Sequence, residues 1–114
     1  MNRGEVWTIQ LDPTRGSEMK KIRPCVIVSN DLMGRLPLKI VVPLTTWKSS
    51  FKNAPWHVLI NKTVENGLSK TSSADTFQVR SISESRLIKK IGSLLPDEME
   101  RINQGLAISL SLDD

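Results

Sequence analysis

The alternation of apolar and polar side chains predicts the first strands of this chain. Residues 3–11 (RGEVWTIQL) alternate as in a half-buried strand, with Val6, Thr8 and Gln10 on one face and Trp7, Ile9 and Leu11 on the other. The short apolar run at residues 25–28 (CVIV) is typical of a strand buried on both faces. A third strand is expected at residues 38–45, where Pro43 implies a bulge or a corner that breaks the ladder.

The second half of the chain continues this pattern and ends in a helix. Strands are predicted at residues 56–60, 71–82 and 88–94, which brings their number to about six. Residues 96–98 (PDE) are of the types favoured in the first turn of a helix. The apolar positions expected to bury one face of this helix are Met99, Ile102, Leu106 and Leu110. The positions expected to face water are Glu100, Arg101 and Gln104.

This order of elements predicts one domain of the α+β class, mainly β, built as a small barrel over residues 1–114. With 39% hydrophobic and 25% charged residues, the composition is that of a folded domain. Neither a secretory h-region nor a run of about 18 apolar residues is present in the sequence, so a cytoplasmic protein without membrane insertion is expected.

Residue types that carry metal or nucleophile chemistry are scarce. Cys25 is the single cysteine, and its apolar neighbours indicate a buried structural thiol. His57 is the single histidine, and alternation opposite Trp56 predicts that it faces solvent. We therefore expect no metal site and no cofactor.

The charge distribution favours nucleic acid over other partners. The net charge is +4, and two polar loops, at residues 12–22 and 48–55, are rich in cations. Such loops attract phosphates without sequence preference, and unpaired bases stack on rings such as Trp47 and Phe51. The same rings would serve equally well as caps of the core, and the lysines as solubilising groups, so charge by itself gives only a weak preference.

Several motifs resemble the MazF/PemK toxins of bacterial toxin–antitoxin pairs. The resemblance begins with RGEVW (3–7), LDPTRGSE (11–18) and Arg23-Pro24. It extends through VVPLTT (41–46), GLSK (67–70), QVRSI (78–82) and the C-terminal helix, and so covers nearly the whole chain. It implies an SH3-like β-barrel, a homodimer, and sequence-selective cleavage of single-stranded RNA that a small acidic antitoxin inhibits.

The resemblance also implies roles for individual residues. The family's loop arginine falls on Arg23 and its active-site threonine on Thr45. An arginine fork suits a phosphate, so Arg23 is expected to stabilise the transition state, with Thr45 donating to a phosphate oxygen or orienting the 2′-OH. Many members carry an acid where this chain has Phe77, and Asp75 is the nearest acid that would replace it as proton acceptor, on the same strand face. A histidine of one branch is Ser17 here.

The residues expected to bind RNA lie in the two loops and around the fifth strand. They are Arg15, Ser17, Lys20, Lys21, Thr46, Trp47, Lys48, Phe51, Lys52, Phe77, Gln78 and Arg80. An alternative is a barrel that binds a protein such as a topoisomerase, as the structurally related CcdB toxins do, although the C-terminal LAISLSLDD lacks the aromatic contacts such a role needs. A further alternative is an inactive barrel that only binds an antitoxin.

Overall fold

The computed structural model describes residues 1–112, which form seven strands and one helix in nearly the predicted order. The elements are β1 (Glu5–Gln10), β2 (Ile22–Ile27), β3 (Leu38–Thr46), β4 (His57–Ile60), β5 (Ser72–Asp75), β6 (Arg80–Ser83), β7 (Leu87–Ser93) and α1 (Pro96–Leu110). Short 3-10 turns lie at Asp31–Met33, Ser49–Asn53, Thr76–Gln78 and Glu84–Arg86. No helix of the described part is long and apolar enough to span a membrane.

The strands form one antiparallel sheet in the order β4-β5-β3-β2-β1-β7, with β6 paired to the first half of β3. Within residues 1–112 no ladder joins β7 to β4, so the sheet is open and the expected barrel closure is not formed. The α+β, mainly-β class is confirmed. The break expected near Pro43 is also present, because β3 pairs with β6 as far as Val41 and with β5 from Leu44 onward.

Successive side chains of β1 and β2 point to opposite faces of the sheet, and each face is covered by a hydrophobic core. One face contributes to a core that α1 covers, with Val6, Val26, Val42, Leu44 and Ile102. The opposite face contributes to a second core of Ile9, Leu11, Cys25, Ile27, Val41 and Ile82. Burial raises the pKa of the Cys25 thiol to about 12, against the opposing effect of the Arg80 and Arg23 charges. The thiol is therefore protonated and unreactive at neutral pH, as the sequence predicts.

The prediction of a single strand at residues 71–82 is wrong. It is interrupted by the turn Thr76–Gln78, in which the Asp75 carboxylate accepts a hydrogen bond from the Phe77 N–H at 3.2 Å. Such side-chain bonds compete with the β ladder. The Thr76 hydroxyl lies within hydrogen-bond distance of the Trp56 carbonyl, at 2.7 Å, and of the Ser109 hydroxyl, at 2.9 Å. The turn therefore ties β5 to α1 and gives seven strands instead of six.

The helix begins at Pro96 as predicted, and the Glu98 carboxylate accepts the Leu95 N–H at 2.8 Å. Ile102 and Gly105 are buried, whereas Leu110 is half-exposed and was expected to be buried. At about 100° per residue, Ser109 and not Leu110 is in line with Ile102, which explains the difference.

The first loop, residues 11–21, is fastened to the sheet at several points. Gln78 accepts the Met19 N–H at 2.6 Å and donates to the Ser17 carbonyl at 3.2 Å. Arg80 donates to the Leu11 carbonyl at 3.3 Å. Gln78 and Arg80 thus shape the loop that leads into β2.

Removing the Gln78 side chain tests this fastening. We expect Gln78→Ala to raise the hydrogen-exchange rate of amides in residues 15–20 roughly tenfold, the effect of losing about 1.4 kcal/mol of local opening free energy. Hydrogen–deuterium exchange measured by mass spectrometry reports this change. The matched control is Gln104→Ala on the exposed face of α1. Unchanged protection of the loop in Gln78→Ala would contradict the assignment.

A second segment, residues 61–70, packs against β7 through two glycines. Asn66 is fully buried, and its side chain accepts the Thr63 and Leu68 N–H groups at 3.0 Å. A Cβ on Gly92 would lie 2.4 Å from backbone atoms of residues 65 and 66, and one on Gly67 would lie 2.0 Å from the Ile91 carbonyl oxygen. Only glycine fits at either contact.

Gly92→Ala is expected to lower the free energy of unfolding by about 1–3 kcal/mol, because the added methyl group meets backbone that has no side-chain freedom to move. Urea denaturation at fixed protein concentration measures the change. Gly34→Ala is the control, since Gly34 has helical φ and ψ and the nearest atom to its added Cβ, the Asp31 carbonyl oxygen at 3.2 Å, has to shift by only a few tenths of an ångström. Equal stability of the two variants would show that the backbone of residues 61–70 shifts to accommodate the added methyl group at little cost in free energy.

Candidate active site

A groove of about 510 Å³ lies where the first loop enters β2 and β3 approaches its end. One wall is the segment 20–24, and the other is the segment 67–70 that packs on β7. Leu44 and Ile91 contribute apolar surface between the walls. The two segments described above therefore determine the width of the groove.

The residues that line the groove favour an anionic ligand. Among the described residues that line it, four are cationic and none is acidic: Lys20, Lys21, Arg23 and Lys70. Hydroxyl groups are supplied by Thr8, Thr45, Thr46, Ser69 and Ser72. A cleft with one sign of charge concentrates ligands of the opposite sign, and hydroxyl donors suit phosphate oxygens.

Arg23 and Thr45 come together in this groove. The Arg23 guanidinium donates through Nη1 to the Thr45 hydroxyl at 3.4 Å and through Nε to the Lys20 carbonyl at 3.1 Å. Both side chains are half-buried. Since Nη2 makes no bond within the described residues, the arrangement leaves donors for a phosphate next to a hydroxyl.

The backbone before Arg23 is strained. Lys21 has a φ of +68°, in the left-handed region that residues other than glycine, asparagine and aspartate rarely adopt. Its carbonyl accepts the Leu11 N–H at 2.8 Å, which closes the base of the first loop. Strain of this kind, about 1–3 kcal/mol, persists only where surrounding contacts over-determine the conformation and is concentrated at functional sites.

Asp75 is not brought into this pair. Its side chain is buried, with the residue only 6% exposed. One carboxylate oxygen accepts the Phe77 N–H, and the other lies 4.0 Å from His57 Nε2. The expectation that Asp75 and Phe77 share a strand face is wrong, because the turn at Thr76–Gln78 directs Phe77 outward to 70% exposure.

The prediction that His57 faces solvent is also wrong. Its side chain is only 10% exposed, and its Nδ1 lies 2.7 Å from the Ser73 hydroxyl oxygen. The Phe51 ring stacks on the imidazole at a centroid distance of 3.7 Å. The loop between β3 and β4 folds back over this face of the sheet, which alternation within one strand does not reveal.

The other predicted site residues lie in four places. Lys20, Lys21 and Thr46 line the groove, and Lys48 and Lys52 are exposed on the second loop, close in sequence to Trp47 and Phe51. Ser17, Phe77, Gln78 and Arg80 line a second hollow of about 330 Å³. Arg15 is exposed on the first loop, where its N–H donates to the Glu18 carboxylate at 2.5 Å.

Sequence reasoning missed the second wall of the groove. Ser69 and Lys70 lie there, and Thr8 and Ser72 add hydroxyls from β1 and β5. The only signal was a basic residue in the turn that precedes a strand, within GLSK. The packing of that turn on β7 brings it opposite Arg23.

Comparison with known proteins identifies the family of this chain. A family model for the PemK-like, MazF-like toxin of type II toxin-antitoxin systems matches residues 2–110. Endoribonuclease MazF9 of Mycobacterium tuberculosis is 36% identical over 118 aligned residues that cover 98% of each chain. Endoribonuclease MazF of Staphylococcus saprophyticus is 34% identical over 98% of this chain and 92% of its own length.

Solved structures share the fold. A mycobacterial endoribonuclease in complex with its cognate antitoxin superposes with a TM-score of 0.79 at 23% identity, covering 100% of this chain and 98% of its own. MazF from Deinococcus radiodurans superposes with a TM-score of 0.79 at 19% identity, covering 97% of this chain and 96% of its own. With the family match and the curated relatives, the conclusion is that this chain belongs to the PemK-like, MazF-like toxins of type II toxin–antitoxin systems.

Proposed function

We propose that the groove around Arg23 and Thr45 is the site with which this endoribonuclease toxin cuts single-stranded RNA. The observation that carries the proposal is the 3.4 Å contact between the two side chains inside a groove lined by four cations. The curated relatives that align over nearly the whole chain are endoribonucleases, which supports the same activity here.

The proposed reaction uses a nucleophile that RNA itself carries. The 2′-oxygen attacks the adjacent phosphorus, the bond from phosphorus to the 5′-oxygen breaks, and the products are a 2′,3′-cyclic phosphate and a 5′-hydroxyl. The 2′-OH loses a proton and the leaving 5′-oxygen gains one. The protein has to orient the reacting atoms and stabilise the charge that develops on the phosphorane.

Arg23 supplies that charge stabilisation. Its guanidinium presents a planar fork of donors to two phosphate oxygens. Thr45 donates to a phosphate oxygen or holds the 2′-OH in line. Asp75, the last residue of β5, is buried with one carboxylate oxygen on the Phe77 N–H and the other 4.0 Å from His57 Nε2, so no contact with substrate is assigned to it.

The remaining parts of the proposal concern partners and setting. Messenger RNA in the cytoplasm is the expected substrate, and its cleavage inhibits translation and growth. A small acidic antitoxin complements the basic groove, and the mycobacterial endoribonuclease solved in complex with its cognate antitoxin supports this partner. We infer a homodimer from the family. A protein target such as a topoisomerase is not favoured, because the groove is lined by cations and hydroxyls.

Arg23→Ala is expected to lower kcat for RNA cleavage by about 10²-fold or more, since one preorganised donor to the transition state is lost. Arg35→Ala removes the same charge from an exposed position outside the groove and should keep the wild-type rate. Cleavage of a long RNA followed by gel electrophoresis measures both. Wild-type activity in Arg23→Ala would remove Arg23 from the site.

An RNA with one deoxynucleotide at the mapped cut position is expected to resist cleavage at that bond, while other bonds are cut normally. The reason is that the 2′-OH is the nucleophile. The digestion is run in EDTA, in which activity is expected to persist, and the ends are mapped for cyclic phosphate and 5′-hydroxyl. Equal cleavage of the deoxy substrate would refute the mechanism.

A further inference from the structure

A row of aromatic rings leads away from the groove. The chain has three Trp, two Phe and one His, and all except Trp7 belong to this aromatic row. Successive ring centroids lie 5.7, 3.7, 5.9 and 6.5 Å apart, in the order Trp47, Phe51, His57, Trp56, Phe77. The row begins two residues after Thr45 and ends beside the second hollow, at Phe77.

The inner rings of the row are fixed in place. His57 is stacked on Phe51 at an interplanar angle of 4° and is hydrogen-bonded to Ser73, which is fully buried directly opposite Thr45 in the β3–β5 ladder. The Trp56 carbonyl accepts both the N–H and the hydroxyl of Thr76. The outer rings therefore rest on a support that needs little reorganisation when a ligand binds.

The outer rings are open to solvent. Trp56 is 38% exposed, and Phe77 is 70% exposed on the outside of its turn. Their centroids are 6.5 Å apart, and Phe77 borders the second hollow, whose lining includes one cation, Arg80, and one acid, Glu18. The second loop, which carries Trp47 and Phe51 at the start of the row, also carries the exposed cations Lys48 and Lys52. Large rings flanked by cations suit a polyanion whose bases stack while its phosphates are neutralised.

We propose that Trp56 and Phe77 form a base-stacking subsite for unpaired nucleotides of the bound RNA, at a distance from the groove in which the bond is cut. The proposal rests on the proposed function and adds a second contact region to it. Base-on-aromatic stacking accepts any base because every base has a π face. The subsite therefore selects single-stranded over double-stranded RNA, whose bases are already stacked.

Binding of an uncleavable probe tests the subsite. The probe is a fluorescently labelled single-stranded RNA of mixed sequence with 2′-O-methyl at every position. Trp56→Ala and Phe77→Ala are each expected to raise its Kd by about 5- to 100-fold, the range for loss of one base stack. Trp56→Phe keeps a ring and is expected to restore affinity to within about threefold of wild type, while tryptophan quenching by the probe declines.

Ile88→Ala is the matched control, because Ile88 is an apolar residue on β7, outside the row, and its 54% exposure lies between those of Trp56 and Phe77. Its Kd should equal that of wild type. Phe77→Leu provides a second variant with apolar bulk and no ring, and it should bind as weakly as Phe77→Ala. Circular dichroism verifies that each variant is folded.

The outcomes separate this inference from the proposed function. If wild type leaves long RNAs uncut, the proposed function fails. If wild type cuts RNA and the folded Trp56 and Phe77 variants bind the probe as tightly as wild type, only the subsite is refuted. Tryptophan quenching by poly-L-glutamate and none by RNA would assign the surface to an acidic protein partner and overturn the subsite.

Discussion

The turn at Thr76–Gln78 is the constraint on which the other features depend. Thr76 bonds to the end of the β3–β4 loop and to α1, and Gln78 fastens the first loop. Between them Phe77 is directed outward. Because the turn separates β5 from β6, β3 changes partner near Pro43 and carries Thr45 onto the ladder with β5.

Backbone strain at Lys21 and a concentration of positive charge occur together at the groove. The left-handed Lys21 and the contacts of Gln78 and Arg80 hold the first loop in a shape that brings Arg23 beside Thr45. Cations kept close together repel each other, so this shape is maintained at a cost in stability. In the proposed mechanism that cost is useful, because the donors are already in place when a phosphate enters.

Local pattern predicted the residues that depend on local physics. Period-two alternation located β1, apolar runs located β3 and β4, and the residue types of 96–98 located the start of α1. The motif around Arg23 and the end of β3 predicted the two side chains that meet in the groove. Lys70 was missed, because only the packing of Gly67 against β7 brings its turn to the groove.

The sequence by itself therefore determined the mainly-β order, the C-terminal helix and the buried Cys25, since each follows from the pattern of side chains along the chain. Its resemblance to a known family indicated Arg23 and Thr45 as the residues of the site. Only the tertiary structure decided that Asp75 points inward and that His57 is covered. The reason is physical: both outcomes depend on the 76–78 turn and on Phe51, whose partners are far apart in the chain and leave no periodic trace in it.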